Sequence, residues 1–194
     1  MWITNPITGH KTAKKSRRRF DDERTPRELT FSCYRGYPFL ARDRTRQWFI
    51  DAVEAARQRW GFDLWAWVIM PEHVHLVLSP RTGVLDVGRL QGFVKERVAR
   101  QAIGWLEQNA PQWIPRITVR EGMRSRRRFW QPGGGYDRNI ECIDTLERMI
   151  DYIHLNPVRR GLVENAIDWQ WSSARWYAGV RPVAIEIDAT LPSQ

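Results

Sequence analysis

The chain has 194 residues, 42% of them hydrophobic, which is enough for a core and excludes a disordered chain. Lysine and arginine total 31 against 22 aspartates and glutamates, a formal charge of +9 that points to a polyanionic partner, nucleic acid or an anionic membrane surface. No apolar run approaches the roughly 18 residues of a membrane span, and two cysteines, Cys33 and Cys142, are too few for a disulfide scaffold or a zinc cage.

Residues 1–26 are polar and carry Lys14-Lys15-Ser16-Arg17-Arg18-Arg19, the pattern of a flexible basic arm. From Glu28 to Tyr34 apolar and polar residues alternate as in a half-buried strand. Residues 42–60 carry Trp48, Phe49, Val53 and Ala56 at helical spacing, with Gly61 as a stop signal. Phe62–Met70 is a dense apolar strand, Pro71-Glu72 punctuates it, and His73–Leu78 resumes as a second strand, so the pair reads as a hairpin. Residues 86–106 form a second helix with Leu90, Phe93, Val94, Val98 and Ile103 on its apolar face. The stretch 111–129 is basic and irregular, with a short strand at Ile117-Thr118-Val119. After Gly133-Gly134-Gly135-Tyr136 comes a third helix, to about Leu155, and a tryptophan-rich tail leads to a short helix from Ser172.

This order predicts an α+β fold: a ferredoxin-like antiparallel sheet with helices packed on it. A doubly wound parallel sheet is disfavoured because the central pair is a hairpin. The expected organisation is a basic arm over 1–26, a catalytic domain over 27–155, and a tail over 156–194 packed on the domain and contacting DNA.

Two elements carry candidate chemistry. In His73-Val74-His75-Leu76-Val77-Leu78 the strand period of two puts His73 and His75 on one face and Val74, Leu76 and Leu78 on the other. A pair of imidazoles suits a shared cation or phosphate; the plain alternative is two partly exposed strand histidines. A histidine-triad nucleotide hydrolase is excluded, because its third histidine falls at Val77. Tyr136, Ile140 and Ile143 are spaced by four and three, so the tyrosine projects along the core-facing edge of the third helix with Asn139 on its flank. The plain alternative is an aromatic cap over the helix start. The glycine run is no nucleotide cradle: no Gly-Lys-Ser/Thr follows, and Arg138 replaces the last glycine of a dinucleotide fingerprint.

Together these elements resemble the HUH endonucleases of the one-tyrosine class, specifically the REP-associated tyrosine transposases. The resemblance rests on Trp67–Leu78, on Phe129-Trp130-Gln131 with Tyr136-Asp137-Arg138-Asn139, on Tyr152–Val163 and on Asp168–Arg175, and it covers roughly residues 27–177. It implies that His73 and His75 bind Mg²⁺ or Mn²⁺ and that Tyr136 attacks a phosphodiester of single-stranded DNA at a hairpin-forming repeat. Asn139 is the implied third metal ligand, although it lies three residues after the tyrosine where a spacing of four, here Ile140, is common. Glu72 stands before the first histidine where Asn is common in the family, and a contributory ligand role is open to it.

The residue types suit this chemistry. A phenol ordinarily titrates near 10, so its anion costs about 4 kcal/mol at pH 7 without assistance from a cation or base. A metal held by neutral ligands stays electrophilic and polarises the scissile phosphate. A phosphotyrosine link conserves the ester's energy, so strand joining needs no ATP.

Expected DNA contacts are the basic arm, Arg116, Arg120, Arg124, Arg126, Arg127 and Arg128, then Arg138 beside the tyrosine, and Arg159 and Arg160. Only Lys11, Lys14, Lys15 and Lys95 are lysines; the arginine excess favours forked contacts to phosphate and stacking on bases. Trp113, Trp130, Trp169, Trp171 and Trp176 interleave with these arginines as candidate stacking platforms, whereas Trp65 and Trp67 belong to the core and His154 to helix-end packing.

The expected partner is thus single-stranded DNA with hairpin structure, with no membrane involvement, met by a monomer or homodimer in the bacterial cytoplasm on the nucleoid. The rival readings are a non-catalytic hairpin-binding module and a nuclease that uses water in place of tyrosine.

Overall fold

The computed structural model describes residues 2–4, 11–13 and 25–192. The Lys14–Arg19 cluster lies outside them. Within the segment expected to be a flexible arm, β1 (Trp2–Thr4) pairs antiparallel with β2 (Lys11–Ala13).

The main body follows the order β3 (Arg27–Ser32), α1 (Asp43–Trp60), β4 (Phe62–Ile69), β5 (His73–Pro80), α2 (Val87–Asn109) and α3 (Ile114–Ile117). Then come β6 (Thr118–Glu121), β7 (Arg124–Arg127), β8 (Tyr136–Asn139), α4 (Ile143–His154), α5 (Asn156–Arg159) and α6 (Ala174–Tyr177). Four strands form one antiparallel sheet in the order β4-β5-β3-β8, the ferredoxin-like arrangement.

Alternation along the strands divides the sheet into two working faces. One face sends Leu29, Phe31, Leu64, Trp67, Ile69, Val74, Leu76 and Leu78 into a core shared with Phe49, Val53 and Ala56 of α1 and Leu90, Val94 and Val98 of α2. The other face is apolar on its β4 side, where Ala66, Val68 and Val77 pack against Leu146, Ile150 and Ile153 of α4. Towards β8 the same face is polar, carrying Thr30 and His75 on paired positions of β3 and β5. Helix α4 therefore roofs a polar strip, and that strip is the setting of the site.

Two expectations are corrected here. The segment at Tyr136 is not the start of the third helix; Tyr136–Asn139 is the fourth strand of the sheet, and the helix begins at Ile143 after Cys142 in extended conformation. The short strand expected at 117–119 is not part of the main sheet. It belongs to a separate ribbon, β6 paired with β7, in the stretch read as irregular. Dense arginine hides the strand period of that ribbon, since neither face is buried and nothing apolar marks it.

The glycine run explains how β8 reaches the sheet. Gly135 has φ +71°, and a Cβ there would sit 2.1 Å from the Thr30 carbonyl oxygen. Only a glycine permits that approach in that conformation. We expect Gly135→Ala to cost about 2–4 kcal/mol, combining left-handed strain with a backbone clash. Thermal unfolding checks this, and a melting temperature equal to that of the parent chain contradicts it.

The tail after residue 156 covers the exposed edge of β4. Ile69 N–H donates to Trp171 O (2.9 Å) and Ser173 N–H to Trp67 O (2.9 Å). Further on, Ile185 and Ile187 enter the core, and Asp188 accepts from Leu64 N–H at 2.8 Å. An edge that would otherwise offer free backbone groups is closed in this way. Every tryptophan from Trp48 to Trp176 is buried or half-buried, so packing absorbs most of the aromatic excess. His154 is buried with Nε2 2.8 Å from Ser173 Oγ, and burial pushes its imidazole down to about 4.

Candidate active site

The site is built outward from β5. His73 and His75 project from the same face, their ring centroids 5.0 Å apart. Each has its Nδ1 engaged by a neighbour. His75 Nδ1 lies 2.7 Å from Thr30 Oγ1 and 3.4 Å from Glu28 Oε1, both from the adjacent strand, and the Thr30 hydroxyl donates on to Glu28 (3.3 Å). His73 Nδ1 lies 3.1 Å from Glu72 Oε1, and Glu72 is itself paired with Arg160 at 2.8 Å. Burial, and then the neighbouring His75 imidazole, push the His73 imidazole below its ordinary range, which favours its neutral form.

The remaining nitrogen of His75, Nε2, accepts from Asn156 Nδ2 at 3.0 Å. Asn156 is buried at the first position of α5, where Pro157 follows without cost because a proline's missing N–H is unneeded in a first turn. The chain stays helical from α4 through Leu155 into α5, with Arg159 N–H bonded to Leu155 O and Arg160 N–H to Asn156 O. Tyr152 and Asn156 therefore stand one turn apart on the same side. The Tyr152 ring lies 6.0 Å from the His75 ring, edge to face, and the Arg159 guanidinium sits over it at 4.7 Å.

A cavity of about 570 Å³ opens beside this cluster. Glu28, Thr30, His75, Tyr136, Arg138, Arg148 and Tyr152 line it. Tyr136 enters from the far side: it pairs with Thr30, and Thr30 with His75, so two strand spacings separate its backbone from that of His75, roughly 10 Å.

The structure thus brings together His73, His75 and Arg138 with Arg159 and Arg160, and places Tyr136 at the cavity wall. It does not bring Asn139 to the histidines. Strand alternation puts Asn139 with Asp137 on the opposite face of the sheet, where Asp137 pairs with Arg27 at 3.3 Å. The third-ligand expectation does not fit this geometry: Asn139 sits on a strand, not a helix, and on the face of the sheet turned away from the histidines. Arg116 lies elsewhere, over the Trp113 ring at 4.9 Å, and Arg120, Arg124, Arg126 and Arg127 sit on the β6–β7 ribbon with Arg128 just beyond it.

Sequence reasoning missed Tyr152 and Asn156, along with the supporting Glu28, Thr30 and Arg148. A signal was present. Tyr152-Ile153-His154-Leu155-Asn156 carries a phenol and an amide at a spacing of four, on the helix whose Leu146, Ile150 and Ile153 mark its buried side.

Two imidazoles, a buried amide and a nearby tyrosine thus lie together on a ferredoxin-like sheet. No protein-family model matches the chain. It is 27% identical over 145 residues to a Haemophilus influenzae protein assigned to the REP-associated tyrosine transposases, covering 71% of this chain and 77% of that one. It is 24% identical over 121 residues to the REP-associated tyrosine transposase of Escherichia coli, covering 62% and 59% respectively. A solved REP-associated tyrosine transposase bound to a REP hairpin superposes with a TM-score of 0.65 at 22% identity, covering 91% of this chain and 93% of that one. The resemblance carried by the motifs is borne out: the chain is similar in sequence to REP-associated tyrosine transposases and shares the fold of the solved one.

Among the described residues no helix is long and apolar enough to cross a membrane.

Proposed function

We propose that this protein nicks and joins single-stranded DNA at hairpin-forming repeats through a covalent 5′-phosphotyrosine, with Tyr152 as the nucleophile. The observation that carries the reading is the contact of Asn156 with His75, one helical turn from Tyr152. It sets a phenol and an imidazole on the cavity wall, with the amide and the second imidazole directly against that imidazole. Tyr136 takes the lesser role of a cavity-wall residue able to contact the bound strand.

The donor set fits a divalent cation such as Mg²⁺ or Mn²⁺. Both imidazoles have Nδ1 engaged by a carboxylate or hydroxyl, the arrangement that fixes the tautomer of a metal-binding histidine and leaves Nε2 as the ligand. A 180° turn of the Asn156 amide presents Oδ1 beside Nε2 of His75. Among the described residues no three His, Cys, Asp or Glu side chains gather at one point, so the cation would rest on His73, His75 and Asn156. When bound it supplies Lewis-acid polarisation of the scissile phosphate.

The chain's own groups do the rest. The Tyr152 oxygen forms a bond to phosphorus, the bond from phosphorus to the 3′-oxygen breaks, and that oxygen leaves with a proton as a 3′-hydroxyl. Attack of a 3′-hydroxyl on the phosphotyrosine reverses the balance and rejoins a strand. Arg138 and Arg148, both lining the cavity, are placed to hold flanking phosphates. Arg159 keeps the tyrosine ring in position from its other side, and Arg160 orients His73 through Glu72.

Incubation with a single-stranded DNA hairpin and Mn²⁺, followed by denaturing electrophoresis, tests the reading. A covalent protein–DNA band is expected. Cleavage without a band favours a water-using nuclease, and binding without cleavage favours a hairpin-binding module.

A further inference from the structure

The β6–β7 ribbon plays no part in the cavity just described, yet its form is unusual for an idle surface. Each strand has four residues, so the ribbon extends about 13 Å. Every residue from 118 to 127 is exposed except the half-exposed Val119, and Met123 at the tip is fully exposed. It pairs with no other strand among the described residues.

Its charge is concentrated. Arg120 and Arg127 share one side of the ribbon; Arg124 and Arg126 share the other. Glu121 is the only acid in the ribbon, and it is engaged by Arg126 and by Arg128. Arg120 and Arg124 make no ion pair among the described residues. Like charges held this close weaken a ribbon that has no core of its own. The base is nonetheless tied down: Arg127 pairs with Glu107 of α2, and Arg128 N–H donates to Ile117 O at 2.8 Å.

We propose that this ribbon enters the major groove of the duplex stem of the DNA hairpin, with Arg120 and Arg124 reaching its walls and Met123 its floor. This rests on the reading of the protein as a hairpin-processing enzyme. The dimensions select the groove. A two-stranded ribbon with side chains matches a major groove about 12 Å wide and 8.5 Å deep, and is too broad for a minor groove of about 6 Å. The position fits as well. After Arg128 the chain rejoins the sheet through Trp130, bridged to Cys33, next to Ser32, whose cross-strand partner is His73. A stem gripped by the ribbon would therefore lie at the His73 end of the sheet, with its single-stranded flank directed towards the cavity.

The test compares two DNAs, a hairpin with a single-stranded tail and the same tail without the stem, binding to the full chain and to Arg120→Ala/Arg124→Ala. Fluorescence anisotropy over a salt series gives affinity and slope. On the hairpin the variant is expected to lose about tenfold or more in affinity, with its log–log salt slope shallower by about 1.8. The ratio of hairpin to tail affinity falls with it. Dimethyl sulfate footprinting is expected to show guanine N7 protection in the stem, lost in the variant, and Met123→Ala is expected to weaken hairpin binding without changing the slope. Equal losses on both DNAs, or stem guanines left unprotected by the parent chain, overturn the proposal. A parent chain that protects the stem but forms no covalent adduct leaves the ribbon standing and refutes the catalytic reading.

Discussion

Tyr152→Phe is expected to abolish the covalent adduct and to lower nicking by about three orders of magnitude or more, as removal of a sole nucleophile does. The substitution deletes one oxygen and keeps the ring, so the contact with His75 and the stacking of Arg159 persist. Hairpin affinity should change by less than about threefold, because a single phenol among many arginine contacts contributes little to binding. Tyr136→Phe tests the competing assignment in the same assay. Tyr136 lies on an edge strand across β3 from His75, and its loss should reduce the rate by less than about tenfold. Gel analysis of adduct formation over time decides between them, and an adduct that survives Tyr152→Phe but not Tyr136→Phe reverses the assignment.

The second large effect concerns the cation. His75→Ala removes one imidazole, frees Asn156 from its contact and leaves Glu28 and Thr30 facing an empty site. Mn²⁺ affinity, read by calorimetry or by electron paramagnetic resonance, should fall about 100-fold or more, and nicking should fall by at least about three orders of magnitude. Asn156→Ala should weaken cation binding about tenfold or more, whereas Asn139→Ala, altered on the opposite face of the sheet, should leave it unchanged. Cation affinity sensitive to Asn139 and indifferent to Asn156 would contradict the site as described. The thermal melting of each variant separates loss of the ligand from loss of the fold.

Most of the architecture was legible because its signals are periodic. The apolar alternation around His73 and His75, the helical spacing in α1 and α2, and the Pro71-Glu72 break each have a single reading, and the structure follows them. The fourth strand was not legible. Tyr136-Asp137-Arg138-Asn139 has no apolar alternation, since its more buried face is occupied by polar groups such as the Arg27–Asp137 pair. Ile140 and Ile143, at the right spacing for a helix, extend the apparent helix too far towards the N-terminus. That one boundary put Tyr136 and Asn139 on a helix edge, where the structure has them on opposite faces of a strand. The histidine pair survived because a strand period needs only two residues to declare a shared face. Tyr152 and Asn156 needed a helix boundary correct to within one turn and knowledge of which side of α4 meets the sheet, which only the packing of Leu146, Ile150 and Ile153 supplies. The ribbon is the opposite case: its arginines were conspicuous, but their arrangement on two faces of a projecting hairpin was not.

Identification of the tyrosine that carries the DNA tests the central claim most directly. The covalent complex formed with a hairpin oligonucleotide and Mn²⁺ is digested with protease and nuclease, and the nucleotide-bearing peptide is sequenced by mass spectrometry. The modified residue is expected to be Tyr152, linked to a 5′-phosphate. Modification at Tyr136 would contradict the account, and so would cleaved DNA with no modified peptide at all.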